Sequence, residues 1–276
     1  MTDLSAWIGR EETRVETLDR VRSDALVTAL GDAPRAGDAL PWPHHWLHFW
    51  DVKPPSQIGD DGHPAKGGFL PPVPMPRRMW AGGRLSFFGP VRFGETVERR
   101  SNIRTVAKKA GRTGELVFVT VRHTLAVGSE TVLEEEQDLV YRAAATEPLV
   151  LPPPEDDLPA ADWRRGVATD PLLLFRFSAL TMNGHRIHYD EPYASEVERY
   201  PGLVVHGPLQ ATLMLGDALA ASHKQPRSFS FRGLSPAISG TEISVCGRET
   251  DGGAEVWVEQ AGRRTMTGQV EWEAEA

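Results

Sequence analysis

The 276-residue chain has a single cysteine, Cys246. It can form no intrachain disulfide and no thiolate-rich metal site. It also lacks any apolar run of 18 or more residues, and its opening stretch, MTDLSAWIGREETRVETLDR, is charged from the start. That is the reverse of a signal peptide or a membrane span. A reducing cytosol is the expected location, with no membrane partner. Nor is there an excess of positive charge, since 30 Lys and Arg stand against 38 Asp and Glu for a net charge of -8. A broad nucleic-acid or anionic-lipid surface is therefore excluded, while a local basic pocket for one phosphorylated ligand is not.

What is present reads as a soluble globular protein, 40% apolar and 25% charged. The length suits two domains, or one domain built of two similar halves. Prolines and acids cluster in EPLVLPPPEDDLPAADW, from Glu147 to Trp163, and predict a linker. The expected organisation is an N-terminal unit over 1–146, a linker over 147–163 and a C-terminal unit over 164–276. In ELVFVTVRHTLAV the residues Val117, Val119, Val121 and Leu125 fall on one side, the period of two of a half-buried antiparallel strand. TEISVCGRE and AEVWVEQ repeat that style in the second half.

The halves resemble each other in order. LSFFGPVRFGETV (Leu85 to Val97) and FSFRGLSPAISGTEI (Phe229 to Ile243) superimpose with Pro90 on Pro236, Gly94 on Gly240 and Val97 on Ile243. A period of half the chain indicates duplication of one domain and not a solenoid. Each half should then own one helix. In the second half HGPLQATLMLGDALAASH opens with Gly207 and Pro208 and is apolar nearly all round, which predicts a helix wrapped by a sheet. Its counterpart, GFLPPVPMPRRMWAGG, carries Pro72, Pro74 and Pro76, so an altered helix entrance is expected there.

The densest polar stretch is FSALTMNGHRIHYD, Phe177 to Asp190. Asn183 suits a turn cap, because asparagine bonds to nearby backbone. His185 and His188 lack the glutamate of H-E-x-x-H and have no evident third ligand, so no metal is expected. Tyr189 and Asp190 are expected to fix the loop. TMNGHRIH resembles the signature of the MaoC-type (R)-specific enoyl-CoA hydratases and 3-hydroxyacyl dehydratases, with Asn183 in the place of the usual aspartate and His188 on the histidine. ALGDAP, Ala29 to Pro34, resembles the start of the same signature, with Asp32 in the aspartate place but Gly37 where histidine belongs. Together with PPVPMPRRMWAGG and YPGLVVHGPLQATL, the pattern is similar over nearly the full chain to 3-methylfumaryl-CoA (mesaconyl-CoA) hydratases and mitochondrial-type 3-hydroxyacyl thioester dehydratases.

The resemblance implies an α+β double hotdog with a catalytically silent first half, and a hydro-lyase acting on enoyl or 3-hydroxyacyl thioesters of coenzyme A or acyl carrier protein. Hydration needs a base for water, a proton for the α-carbon and positive potential at the thioester oxygen. His188 is expected to move the proton, Asn183 to accept a hydrogen bond from the water, and the Gly207 backbone N–H at the helix start to hold the oxyanion. Arg77 and Arg78 are candidates for a coenzyme A phosphate and Arg186 for a free carboxylate. His206, beside the same helix start, is expected to pack at the substrate space without titrating. PHHWLHFW, Pro43 to Trp50, reads equally as an aromatic lid or as core. No metal and no organic cofactor are expected, coenzyme A entering as part of the substrate. A homodimer fits the edge pairing common in such sheets. A hotdog thioesterase and a non-catalytic thioester-binding protein are the rival readings.

Overall fold

The computed structural model describes residues 3–34, 36–111 and 114–274. Ten strands form one antiparallel sheet: β1 (Glu11–Thr17), β2 (Arg77–Phe87), β3 (Thr96–Gly111), β4 (Gly114–Val127), β5 (Glu130–Arg142), β6 (Trp163–Val167), β7 (Pro226–Gly233), β8 (Ile243–Thr250), β9 (Gly253–Gln260) and β10 (Arg263–Trp272). Their order is β1-β3-β4-β5-β2-β7-β10-β9-β8-β6. The halves meet where β2 pairs with β7, Leu85 opposite Phe229. Residues 143–162 hold neither helix nor strand. Along β4 the side chains of Val117, Val119, Val121 and Leu125 are buried and their neighbours less so, as the period of two requires.

The internal repeat has a physical signature. Gly94 and Gly240 both have φ +88°, a conformation that side chains other than glycine rarely adopt. Val97 and Ile243, which follow them, are both fully buried. The same backbone turn thus feeds the same core position in each half.

Helix α3 (Gly207–Ser222) has Pro208 in its first turn and packs against β7, β8, β9, β10 and β2. Leu209, Leu213, Met214 and Leu215 are fully buried, each contributing about 1.5–3 kcal/mol of transfer free energy. That is the apolar helix inside a sheet that the sequence predicts.

The first half differs from the expected plan. PPVPMP, Pro71–Pro76, forms no helix, and β2 follows it directly. Successive prolines withhold backbone donors and keep the residues before them out of the α region. The first-half helix lies earlier, at α1 (Arg20–Ala29), and its counterpart is a second helix of the other half, α2 (Pro171–Thr181). Asp19 caps α1 by accepting from the Arg22 N–H at 3.0 Å, and Asp170 caps α2 by accepting from the Leu173 N–H at 2.8 Å. Counting from these caps, Asp32 and Asn183 occupy the same position. Without a central helix, the first-half core is filled by Leu40, Leu47 and Phe49, around the 3-10 turn His44–Leu47. PHHWLHFW is therefore core at His44 and Leu47, while His45, Trp46, His48, Phe49 and Trp50 border the cavity described next.

Candidate active site

Helix α2 ends at Met182, whose left-handed backbone (φ 52°) turns the chain back. Two local bonds set the turn. The Asn183 N–H donates to the Ser178 carbonyl at 2.9 Å, and Asn183 Oδ1 accepts from the His185 N–H at 3.0 Å. A 3-10 turn, Arg186–His188, then carries His188 into the interior at 6% exposure.

The His188 ring is held on two sides. Its Nδ1 lies 2.7 Å from the Val204 carbonyl. A carbonyl only accepts, so Nδ1 carries the proton and neutral His188 keeps a lone pair on Nε2. His206 stacks on the ring with centroids 3.6 Å apart and 19° between planes. His206 is anchored in turn by Nε2 at 2.8 Å from Ser178 Oγ. Burial pushes the His188 pKa down to about 4, against the Val204 bond that favours the charged form. At pH 7 the ring is neutral and able to accept a proton.

A cavity of about 680 Å³ opens beside this ring and is lined from both halves. His188, Asn183 and Gly207 all border it. Gly207 is the first residue of α3, and its N–H has no acceptor among the described residues. A helix start also presents the positive end of the dipole.

The first half contributes a loop. Gly62 (φ +86°) packs so closely on Gly184 that a Cβ at Gly62 would meet the Gly184 carbonyl oxygen at 1.9 Å. Only glycine fits there. This contact brings His63 against His185, ring centroids 4.3 Å apart. Asp61 accepts from the His63 backbone N–H at 3.0 Å and lies at 3.0 Å from His63 Nδ1. His185 Nε2 is buried without a partner, and burial, then His63 and His188, lower its pKa strongly. Asp61, His63 and His185 offer three ligand atoms within 4.8 Å of one another, a set different from the His185–His188 pair weighed above. Both Asp61 oxygens are already engaged by His63, and Arg78 lies within electrostatic reach of all three residues. That nearby positive charge opposes a divalent cation.

A family model, hydroxyacyl-thioester dehydratase type 2, matches residues 43–239. The chain belongs to that family. It is 45% identical over 242 residues to the mesaconyl-C(4)-CoA hydratase of Chloroflexus aurantiacus, covering 85% of each chain. It is 28% identical over 245 residues to the mitochondrial hydroxyacyl-thioester dehydratase type 2 of Schizosaccharomyces pombe, covering 79% of each. In three dimensions it is similar to HtdX of Mycobacterium tuberculosis, with a TM-score of 0.69 at 17% identity over 96% of this chain and 100% of the other. The fold is a double hotdog, and the family makes the chain a hydro-lyase.

Within this family member the expected site residues separate. His188, Asn183, Gly207, Arg77 and Arg78 border the cavity; His206 and Arg186 do not. His206 is fully buried behind His188 and orients it instead of meeting substrate. Arg186 is turned outward, paired with Asp190 at 2.7 Å and donating to the Asp60 carbonyl. Its guanidinium is engaged by the loop on both of these contacts. Tyr189 serves the same loop, its hydroxyl donating to the Gly184 carbonyl at 2.9 Å. Asn183 Oδ1 is engaged by the His185 N–H, so the turn-capping role is real and leaves that oxygen only its second lone pair for a water. Arg77 is neutralised by buried Glu198, to which its Nε donates. In the first half, Asp32 is exposed and near Arg165 (3.7 Å), and neither it nor Gly37 borders the cavity. His63, Asp61 and Glu198 lie outside the expected set, because each reaches the site through a contact far away in sequence.

Proposed function

We propose that the chain hydrates a short branched dicarboxylic enoyl thioester of the 3-methylfumaryl-CoA (mesaconyl-CoA) type, reversibly, with coenzyme A as the carrier. The observation that carries this is a neutral, doubly held His188 on a cavity that also meets an unpaired helix N–H. His188 Nε2 removes a proton from water as its oxygen bonds to the β-carbon, and the displaced π electrons move to the thioester oxygen. The Gly207 N–H donates to that oxygen, a contribution typically worth about 3 kcal/mol. His188 then delivers its proton to the α-carbon, so that one water is added in all. Every step uses groups of the chain and the substrate, and we assign no metal or organic cofactor. The 45% identity to a mesaconyl-C(4)-CoA hydratase supports the acyl group.

The first half is assigned a shaping role without chemistry, supported by the exposed Asp32 and by Gly37 in the histidine place. A single buried cysteine, Cys246, is compatible with the cytosol. No described helix is long and apolar enough to cross a membrane. A homodimer would use surfaces other than the β2–β7 join, which one chain supplies to itself.

The test is a panel of enoyl-CoA thioesters with and without a free carboxylate, followed by absorbance of the conjugated thioester and by release of free thiol. Loss of absorbance without thiol, fastest for 3-methylfumaryl-CoA, is the expected result. Thiol release would mark a thioesterase. Neither signal, with binding retained, would mark a non-catalytic receptor.

Asn183 allows a graded check. Aspartate keeps the oxygen that receives the His185 N–H, whereas alanine removes it and frees the turn. Losing a local cap of this kind costs about 1 kcal/mol and misplaces His188. Asn183→Ala is expected to lower kcat/KM by roughly 10²-fold and Asn183→Asp by clearly less. Equal losses would remove the orienting role.

A further inference from the structure

Arg78 is 8% exposed and borders the cavity. Among the described residues it has no carboxylate at ion-pair distance; its Nη2 donates to the Pro64 carbonyl at a long 3.5 Å, and it also meets the Tyr141 hydroxyl. Its neighbour in sequence, Arg77, which also borders the cavity, is paired with Glu198. A buried guanidinium without a carboxylate is costly, because desolvation is not repaid by a counter-charge. A group near it is also unsatisfied. The His185 Nε2 is buried with no partner, and His185 lies within electrostatic reach of Arg78. Asp61 is an acid within electrostatic reach, but both of its oxygens are bonded to His63 and neither lies at ion-pair distance from Arg78.

From these observations we infer that Arg78 is the receptor for the free carboxylate of the acyl group, with the His63–His185 pair as the floor of that subsite. The inference rests on the dicarboxylic reading above and assigns its specificity to a residue. In a 3-methylfumaryl-type thioester the free carboxylate is bonded to the β-carbon, the atom attacked by water. Its oxygens therefore lie within roughly 2.5 Å of the reacting centre, so the receptor must sit close to the base. His63 meets that condition: its ring is 4.3 Å from that of His185, which is 5.4 Å from that of His188, and Arg78 donates to the carbonyl of the next residue, Pro64. Arg77 is closed by Glu198 and Arg186 faces away from the cavity, so neither competes for the role. A planar guanidinium also fits a carboxylate with two parallel bonds, which fixes the face of the double bond presented to water.

The experiment compares wild type, Arg78→Met and Arg78→Lys in the full chain. Hydration of 3-methylfumaryl-CoA is measured beside that of 3-methylcrotonyl-CoA, in which a methyl group replaces the carboxylate. The ratio of their kcat/KM values is expected to fall by about 10²-fold or more in Arg78→Met and by less in Arg78→Lys. An unchanged ratio overturns the inference, whether both rates fall together, as for a contact to coenzyme A phosphate or a folding role, or neither does. Calorimetric binding of succinyl-CoA and butyryl-CoA separates this from the hydration reading, since neither reacts and they differ by the same carboxylate-for-methyl exchange. Wild type should bind succinyl-CoA at least about 10-fold more tightly, and Arg78→Met should erase the preference. With that preference present and no hydration, the subsite stands and the reaction assignment falls. Without the preference, the subsite falls whatever the chemistry.

Discussion

His188→Ala is expected to lower kcat by about 10³- to 10⁴-fold, near the upper range for removal of a general acid–base group. The size follows from how poorly the neighbours of His188 could replace it. Asn183 stands in the place of an acid and cannot ionise, His206 lies behind the ring, and His185 is kept neutral by burial and by its imidazole neighbours. In the proposed reaction the proton passes between water and the α-carbon through His188 Nε2. The fold should survive, because His188 hangs from a turn and bonds one carbonyl, while the core is carried by α3 and the sheet. Circular dichroism and the thermal midpoint establish folding, and turnover of 3-methylfumaryl-CoA measures the loss. A folded variant with wild-type turnover would show that another group takes the proton from water.

The features that local spacing controls are legible from residues alone: the apolar helix starting at Gly207 and the matched turns at Gly94 and Gly240 depend on neighbours close in sequence, whereas His188 is singled out by the family resemblance of TMNGHRIH. Arg186 shows a signal that was present but unused. Asp190 follows it by four residues, a spacing that favours an ion pair over a ligand contact. The first-half helix lies at Arg20–Ala29 and not beside Pro72–Pro76, because the match of Pro90 to Pro236 and Gly94 to Gly240 carries no information on the segment before β2. The capping aspartates Asp19 and Asp170 provide the better register. Other facts had no local signal. Arg77 and Glu198 are 121 residues apart, and His63 reaches His185 only because two glycine backbones touch. Charge can be read from a sequence, but which charge is neutralised is a property of the folded chain.

That distinction governs the expected response to acid. Three histidines are buried with a pKa pushed down to about 4: His44, His123 and His188. Desolvation is the first cause for each. It is reinforced by His45 and His48 at His44, by Arg99 at His123 and by His63 at His188, and opposed by Glu135 at His123 and by the Val204 carbonyl at His188. In the unfolded chain a histidine titrates near 6.5. As pH falls below that value the unfolded state gains protons that the native state refuses, so stability falls with pH. It is undiminished above about 6.5 and is lost progressively until the native rings titrate near 4. Each ring accounts for about 3 kcal/mol at most, and the three together for an amount on the order of a whole domain's stability. Glu135 acts in a lower window. Burial would raise its pKa, but bonding and attraction from His45 lead the contacts that hold it at about 2, so its contribution is intact above about 4.5 and is lost only toward pH 2. Urea midpoints should therefore be flat from pH 8 to 6.5 and fall steeply between pH 6 and 4.5. His44→Gln, at a ring that bonds Ser23 Oγ at 2.6 Å and does not border the cavity, should lessen the slope by one ring's share, His63, His185 and His206 also being held below the usual histidine value by burial. A midpoint unchanged down to pH 4.5 would mean that these rings accept protons in place, and would also place the His188 lone pair in competition with solvent protons well inside the working range.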